Sequence, residues 1–265
     1  MSRLGRAAAI SAALLLLALL SLPLLALVTE GAPAILLGAL GSPLVLAAVR
    51  VSLATSLCSL LLVLLLGTPL AWILAQRRSA ALGAVELLVQ LPIVLPPSLA
   101  GLALLFAFGR RGLLGALFAH AGFSLAFSPA AVILAQLFVA SAFYVQVATN
   151  AFRAIDERLL SVARTLGCSP ARVFFSVALP LSLRALLGGA ALAWARALGE
   201  FGATLLFAGN LPGVTQTLPL AIYTALESDT RTAAALGLLL LIVALLLLLL
   251  ARRSAAGLLT RWSSR

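Results

Sequence analysis

Residues 151–180 read AFRAIDERLLSVARTLGCSPARVFFSVALP, and the fold follows from what this polar interlude separates. Within it, Ile155, Leu159, Leu160, Val162, Ala163 and Leu166 recur at helical spacing, with Asp156, Glu157, Arg158, Ser161 and Arg164 between them. Gly167 supplies a stop, because it tolerates the left-handed conformation of a helix C-cap. Ser169-Pro170 then starts a second helix, with Ser at the N-cap and Pro at the first helical position. Pro180 is expected to close the segment. The stretch therefore reads as two short amphipathic helices joined by a glycine turn. Such a pair can lie on lipid headgroups or offer a docking surface to another protein.

On both sides of this segment the chain is apolar. Of 265 residues, 63% are hydrophobic and 9% charged, against about 45–50% and about 25% in soluble domains. That excludes a soluble enzyme, a disordered chain and a disulfide scaffold. A bilayer core about 30 Å thick needs roughly 20 apolar helical residues. Six segments qualify: 7–28, 44–76, 82–108, 129–150, 181–207 and 232–251. The chain reads as one all-α membrane domain of six spans. Arg3 and Arg6 precede the first apolar run as in a signal peptide, but the run exceeds the 7–15 residues of a signal core, so a retained span is expected. Pro92, Pro96 and Pro97 are expected to break the third span, since proline removes helical hydrogen bonds.

The net charge is +11, and all 18 basic residues are Arg. With the N-terminus inside, thirteen Arg fall on the cytoplasmic side, among them Arg77, Arg78, Arg153, Arg184 and Arg265. Arg50, Arg110, Arg111 and Arg231 fall outside, and Arg196 lies within a span. The positive-inside rule then places both termini in the cytoplasm. The surplus sets topology and is not a nucleic-acid footprint. Without Lys there is no P-loop and no Lys nucleophile. Cys58 and Cys168 sit at different membrane levels, so a disulfide is not expected. The single His120, in an outer loop, makes no metal cluster. Paired carboxylates, a His dyad and a Ser–Lys pair are all missing, which leaves an intramembrane enzyme a remote alternative to transport.

Ala163-x-x-x-Gly167 followed after nine residues by Val177-x-Leu179-Pro180 resembles the coupling-loop signature of ABC-importer permease subunits, E-A-A-x-x-x-G then I-x-L-P. Ser161-Val162 stands where Glu-Ala is usual. Further stretches are similar to molybdate/tungstate permeases: Leu91-Pro92-Ile93-Val94-Leu95-Pro96-Pro97, Gly109-Arg110-Arg111-Gly112, and the run from Arg196 to Tyr223. The likeness spans roughly residues 45–250. It implies a type I importer permease in a prokaryotic inner membrane, working as two copies with two ATP-binding subunits and an extracytoplasmic oxyanion-binding protein. ATP-Mg would sit on the partner subunit, with no cofactor on this chain. Sulfate or thiosulfate is the alternative cargo. The residues implied to meet the ATPase are Asp156, Glu157, Ser161, Val162, Ala163, Arg164, Gly167, Pro170, Leu179 and Pro180.

Tetrahedral dianions call for hydroxyl, amide and N–H donors that bind weakly. The pathway or gate candidates are Pro96, Pro97, Gln136, Gln146, Arg196, Glu200, Thr204, Asn210, Thr215, Gln216 and Thr217. Gln136, Gln146 and Asn150 fall within about an 80° arc at roughly 100° per residue, an arrangement that suits either pore lining or helix–helix hydrogen bonding. Arg196 and Glu200, at i and i+4, can pair on one helix face. A carboxylate repels a dianion, so Glu200 is expected to hold or gate the helix. The 208–230 loop is expected to carry either an outer gate with a short re-entrant or surface helix to Leu226, or a plain surface loop.

Overall fold

The structure is a computed structural model. It describes residues 3–31, 33–76, 79–120 and 122–262; Arg77, Arg78 and Arg265, assigned above to the cytoplasmic side, lie outside them. The described residues form helices and connections: α1 (Arg3–Glu30), α2 (Pro33–Leu40), α3 (Pro43–Gln76), α4 (Ala80–Val94), α5 (Pro97–Phe108), α6 (Gly115–His120), α7 (Pro129–Arg153), α8 (Glu157–Thr165), α9 (Pro170–Val173), α10 (Leu179–Leu198), α11 (Gly202–Ala208), α12 (Leu218–Leu226) and α13 (Thr230–Trp262). Among the described residues, α1, α3, α7, α13 and the joined run Pro170–Leu198 are long and apolar enough to cross a membrane, and the bent pair of α4 with α5 passes the same test together, which brings the candidates to six.

α7 is the hub. Its central residues Ala135, Val139, Ala140, Ala142 and Ala148 are buried, and α3, α10, α11 and α4 pack around it. Small side chains let the backbones approach closely, the usual device where lipid is as apolar as the protein interior. Inside this packing Thr68 Oγ1 and Tyr144 Oη lie 2.7 Å apart, joining α3 to α7. The outer leucines of α1, such as Leu15 at 74% exposed, face away from the bundle.

Four expectations are corrected. The third segment breaks as expected, into two helices meeting at 119°, but not at all three prolines. Pro92 does not interrupt α4; the break is at Leu95, whose ψ of 132° is what a residue before proline adopts, and Pro96-Pro97 add two positions without N–H donors. The fifth segment is also two helices, α10 and α11, because Glu200 and Phe201 leave helical geometry. Pro180 does not mark the start of the fifth span. The second loop helix runs without interruption into it, Pro170–Leu198, through a widened π turn at Phe174–Ala178. There Leu179 N–H donates to Phe174 O, and the wider turn accommodates Pro180, whose ring would otherwise clash with the carbonyl four residues back. Finally, α2 and α6 are helices that hydropathy alone did not separate from their surroundings, and α13 extends past residue 251.

Candidate functional site

The 151–180 segment is built as its sequence dictates. Asp156 caps α8, its Oδ1 accepting the Arg158 N–H at 2.9 Å. Gly167, at φ +83°, ends it with a Schellman closure: Gly167 N–H donates to Arg164 O and Cys168 N–H to Ala163 O. Ser169 Oγ then accepts the Arg172 N–H, with Pro170 at the first helical position. Leu160, Ala163 and Val173 turn inward and join Leu74, Ala148 and Phe152 in one apolar cluster. Trp72, Phe152 and Phe174 clamp the segment to the ends of α3 and α7, with ring centroids 5.2 Å (Trp72–Phe152), 5.4 Å (Trp72–Phe174) and 6.0 Å (Phe152–Phe174) apart; each such pair is worth about 0.5–1.5 kcal/mol. Glu157, Ser161, Val162, Arg164, Leu166 and Pro170 are exposed. Val162 at 57% and Leu166 at 78% present an apolar strip on a rigidly seated helix. Leu179 is partly buried and Pro180 exposed.

The intramembrane candidates divide into three groups. The first is a double joint. The break between α10 and α11 lies against the break between α4 and α5: a Cβ on Gly202 would sit 2.7 Å from Pro97 Cβ, and one on Gly101 would sit 2.9 Å from Ala203 Cα. Only glycine permits this approach. Glu200, 1% exposed, spans the α10–α11 break. Its Oε1 accepts the Ala203 N–H at 2.8 Å, capping α11, and its Oε2 lies 2.7 Å from Arg196 Nη2 on α10, an ion pair without hydrogen-bond alignment. The expected pair is present, but it bridges two helices and not one face of a single helix. Pro96 and Pro97 are exposed beside it, while Thr204 is buried with an unpaired hydroxyl.

The second group is the 208–217 turn. Asn210 Nδ2 and Gln216 Nε2 both donate to Thr224 Oγ1 on α12, at 2.9 and 3.3 Å. Thr215 Oγ1 accepts the Leu211 N–H at 3.0 Å, and Thr217 is buried with its hydroxyl unpaired. α12 is the short helix expected before Leu226, and it is anchored in the bundle: Leu218 and Leu220 are buried and the Leu218 N–H donates to Ser52 Oγ at 2.6 Å.

The third group lies on α7. Gln136 is buried, both ends of its amide unpaired, whereas Gln146 and Asn150 are exposed. The arc they share straddles the edge of the packed face of α7. Sequence reading also missed contacts between distant residues. Trp194 Nε1 donates to Ser56 Oγ at 3.1 Å, and Arg153 pairs with Glu86 at 2.8 Å. The one signal for the latter was a solitary acid in a long apolar stretch. Among the described residues no group of three His, Cys, Asp or Glu could hold a metal, and Cys58 and Cys168 are free.

Residues 67–261 match the family described as "Binding-protein-dependent transport system inner membrane component". The chain is 47% identical to the molybdenum transport system permease protein ModB of Mycobacterium tuberculosis, over 72% of this chain and 73% of that protein. It is 39% identical to the ModB of Escherichia coli, over 68% of this chain and 80% of that protein. It is also 39% identical to the probable transport system permease protein NifC of Clostridium pasteurianum, over 71% and 66%. Among solved structures, a bacterial alginate ABC transporter in complex with an alginate pentasaccharide-bound periplasmic protein superposes with TM-score 0.77 at 17% identity, over 96% of this chain and 94% of that one. The MetNI methionine ABC transporter superposes with TM-score 0.65 at 18% identity, over 81% and 95%. The fold is thus that of type I ABC-importer permeases, and the glycine-ended helix pair and the jointed spans fall inside the matched region. The chain belongs to the family of inner-membrane components of binding-protein-dependent transport systems, as a multi-pass membrane permease.

Proposed function

We propose that this chain is the permease subunit of an ATP-driven importer that moves molybdate or tungstate into the cytoplasm by alternating access. The observation that carries this reading is the 47% identity to a molybdenum transport permease. Two copies assemble with two ATP-binding subunits, which hold ATP-Mg, and receive cargo from an extracytoplasmic oxyanion-binding protein. Both termini and the α8–α9 pair face the cytoplasm, following the arginine bias of the sequence. Closure of the ATPase pair presses on the exposed strip of α8. The clamped aromatic trio carries that push to α3, α7 and the continuous Pro170–Leu198 helix. The double joint at Pro96-Pro97 and Glu200 is where the spans bend, and the hydroxyl- and amide-rich 210–217 turn forms the outer gate.

In cells lacking their own molybdate permease, expression of this chain with its cognate ATPase and binding protein should restore accumulation of labelled molybdate. The ATP-binding subunit should co-purify with the tagged chain and be lost when α8 is disrupted by proline at Leu159. Accumulation no better than in the empty cells, or co-purification indifferent to α8, overturns the reading.

A further inference from the structure

The last residue of α7, immediately ahead of the α8 cap, is held by two other helices at once. Arg153 Nη1 donates to Glu86 Oε1 at 3.0 Å, and its Nη2 donates to Glu86 Oε2 at 2.8 Å and to the Leu74 carbonyl at 3.2 Å. Glu86 belongs to α4 and Leu74 to the last turn of α3. The last four carbonyls of a helix have no intrahelical partner, so one guanidinium grips a carboxylate with both arms and also caps α3. Space surrounds it: Arg153 lines a cavity of about 740 Å³ shared with Trp72, Glu157 and Arg164, and another of about 370 Å³ shared with Ser79 and Gly83.

α4 packs on the bundle through apolar contacts of Leu82, Val85 and Val89, while its other face is open: Leu87, Leu88 and Val94 are 68%, 65% and 81% exposed. Among the described residues its only other side-chain hydrogen bond is the local cap, the Leu82 N–H donating to Ser79 Oγ. Among the described residues, the Glu86 pair is the single polar tie between α4 and the rest of the bundle. α4 leads through the 119° bend into α5, which abuts α11 at Gly101–Ala203.

We infer that Arg153 is a positioning residue for transport, tying α4, and through it the joint of the third span, to the coupling segment three residues further on. When α8 moves, the base of α7 moves, and the forked pair obliges α4 to follow; without it α4 could slide in the flanking cavities. This inference rests on the importer reading.

The test uses the assembled complex in proteoliposomes, with Arg153→Ala, Glu86→Ala, the double Ala variant, Arg153→Lys and the charge swap Arg153→Glu/Glu86→Arg. Each single Ala variant should hydrolyse ATP while molybdate moved per ATP falls about tenfold, within the usual range of coupling between sites. The double variant should be no worse than either single one. The swap should recover most of the ratio, and Lys part of it, since an ammonium is a point charge that cannot fork a carboxylate. Spin labels on Leu87→Cys and Thr165→Cys, with Cys58 and Cys168 replaced, supply a readout independent of cargo. Their distance should stay narrowly distributed in both nucleotide states, and broaden in Arg153→Ala. A failure of wild type to move molybdate with that pattern intact would count against the cargo alone. Wild-type coupling in the single variants, additive losses without recovery in the swap, or an unchanged distance distribution would overturn the tie.

Discussion

Replacing Glu200 with Gln isolates the charge at the fifth-span joint from its shape. Gln keeps an oxygen where Glu200 Oε1 accepts the Ala203 N–H at 2.8 Å, so the cap on α11, worth about 1 kcal/mol, survives. What disappears is the ion pair to Arg196 at 2.7 Å. Glu200 is 1% exposed and the Arg196 side chain 27%. The carboxylate thus depends on its partner, while the guanidinium can turn partly to water. Exposed ion pairs contribute about 0.2–1 kcal/mol and breaking a fully buried one costs about 3–5 kcal/mol; the accessible Arg196 places this half-buried pair nearer the first, at about 1.5 kcal/mol. Since about 1.4 kcal/mol is a factor of ten, the equilibrium between two arrangements of the joint shifts roughly tenfold. A transporter that visits both arrangements in every cycle should lose uptake by about that factor. Glu200→Ala also removes the cap and should lose several-fold more. The assay is ATP-driven uptake in proteoliposomes at matched protein level, with cargo affinity of the separate binding protein as a control that must not change. Normal uptake in Glu200→Gln would refute the reasoning, and equal loss in the Gln and Ala variants would show that the cap contributes nothing.

Other residues give sharper local tests. Gly167→Ala meets no neighbour within 4 Å but must hold φ at +83°, which costs an L-residue about 1–2 kcal/mol; weaker co-purification of the ATPase is expected, with the permease still inserted. Gly101→Leu would drive a side chain into the Ala203 backbone, 2.9 Å from where its Cβ must sit, and should abolish uptake by spreading α5 from α11; wild-type transport would show that the contact is not needed. Asp229 is held below the usual carboxylate range, first by the Thr232 hydroxyl and then by the Arg231 N–H. Because its folded pKa is depressed, its support for the start of α13 is full above the ordinary Asp value and is lost as pH falls through the folded one. Amide protection factors at residues 230–233, with the intrinsic pH dependence of exchange divided out, should therefore fall on acidification in wild type and be insensitive to pH in Asp229→Asn.

The elements most legible in sequence were those fixed by local chemistry. Gly167 and Ser169-Pro170 read as stop and restart because each acts on backbone within three residues, and the structure places them in those roles; the cap that Asp156 makes on α8 is a further local contact that the structure adds. Long apolar runs gave the spans for the same reason. What hydropathy could not register was where a span bends. The stretch 181–207 is apolar apart from two arginines, Glu200, Ser182 and Thr204, and the joint arises because Glu200 takes the Ala203 N–H for itself. Gln136 and Gln146 looked alike on a helical wheel and were separated only by which neighbours pack on α7. Glu86 and Arg153, sixty-seven residues apart, meet through tertiary structure alone. The pattern Ser161-Val162 for Glu-Ala has a local reading: both side chains are exposed, so the departure changes the surface of α8 and leaves its seat on the bundle untouched.

The central claim is that this chain carries molybdate or tungstate, driven by ATP on another subunit. The direct measurement is uptake of labelled molybdate, tungstate and sulfate into proteoliposomes holding the chain, its ATPase and the cognate binding protein, with and without internal ATP. Molybdate and tungstate should accumulate in preference to sulfate, dependent on both ATP and the binding protein. Sulfate preference, or accumulation of none of the three under ATP, would contradict it.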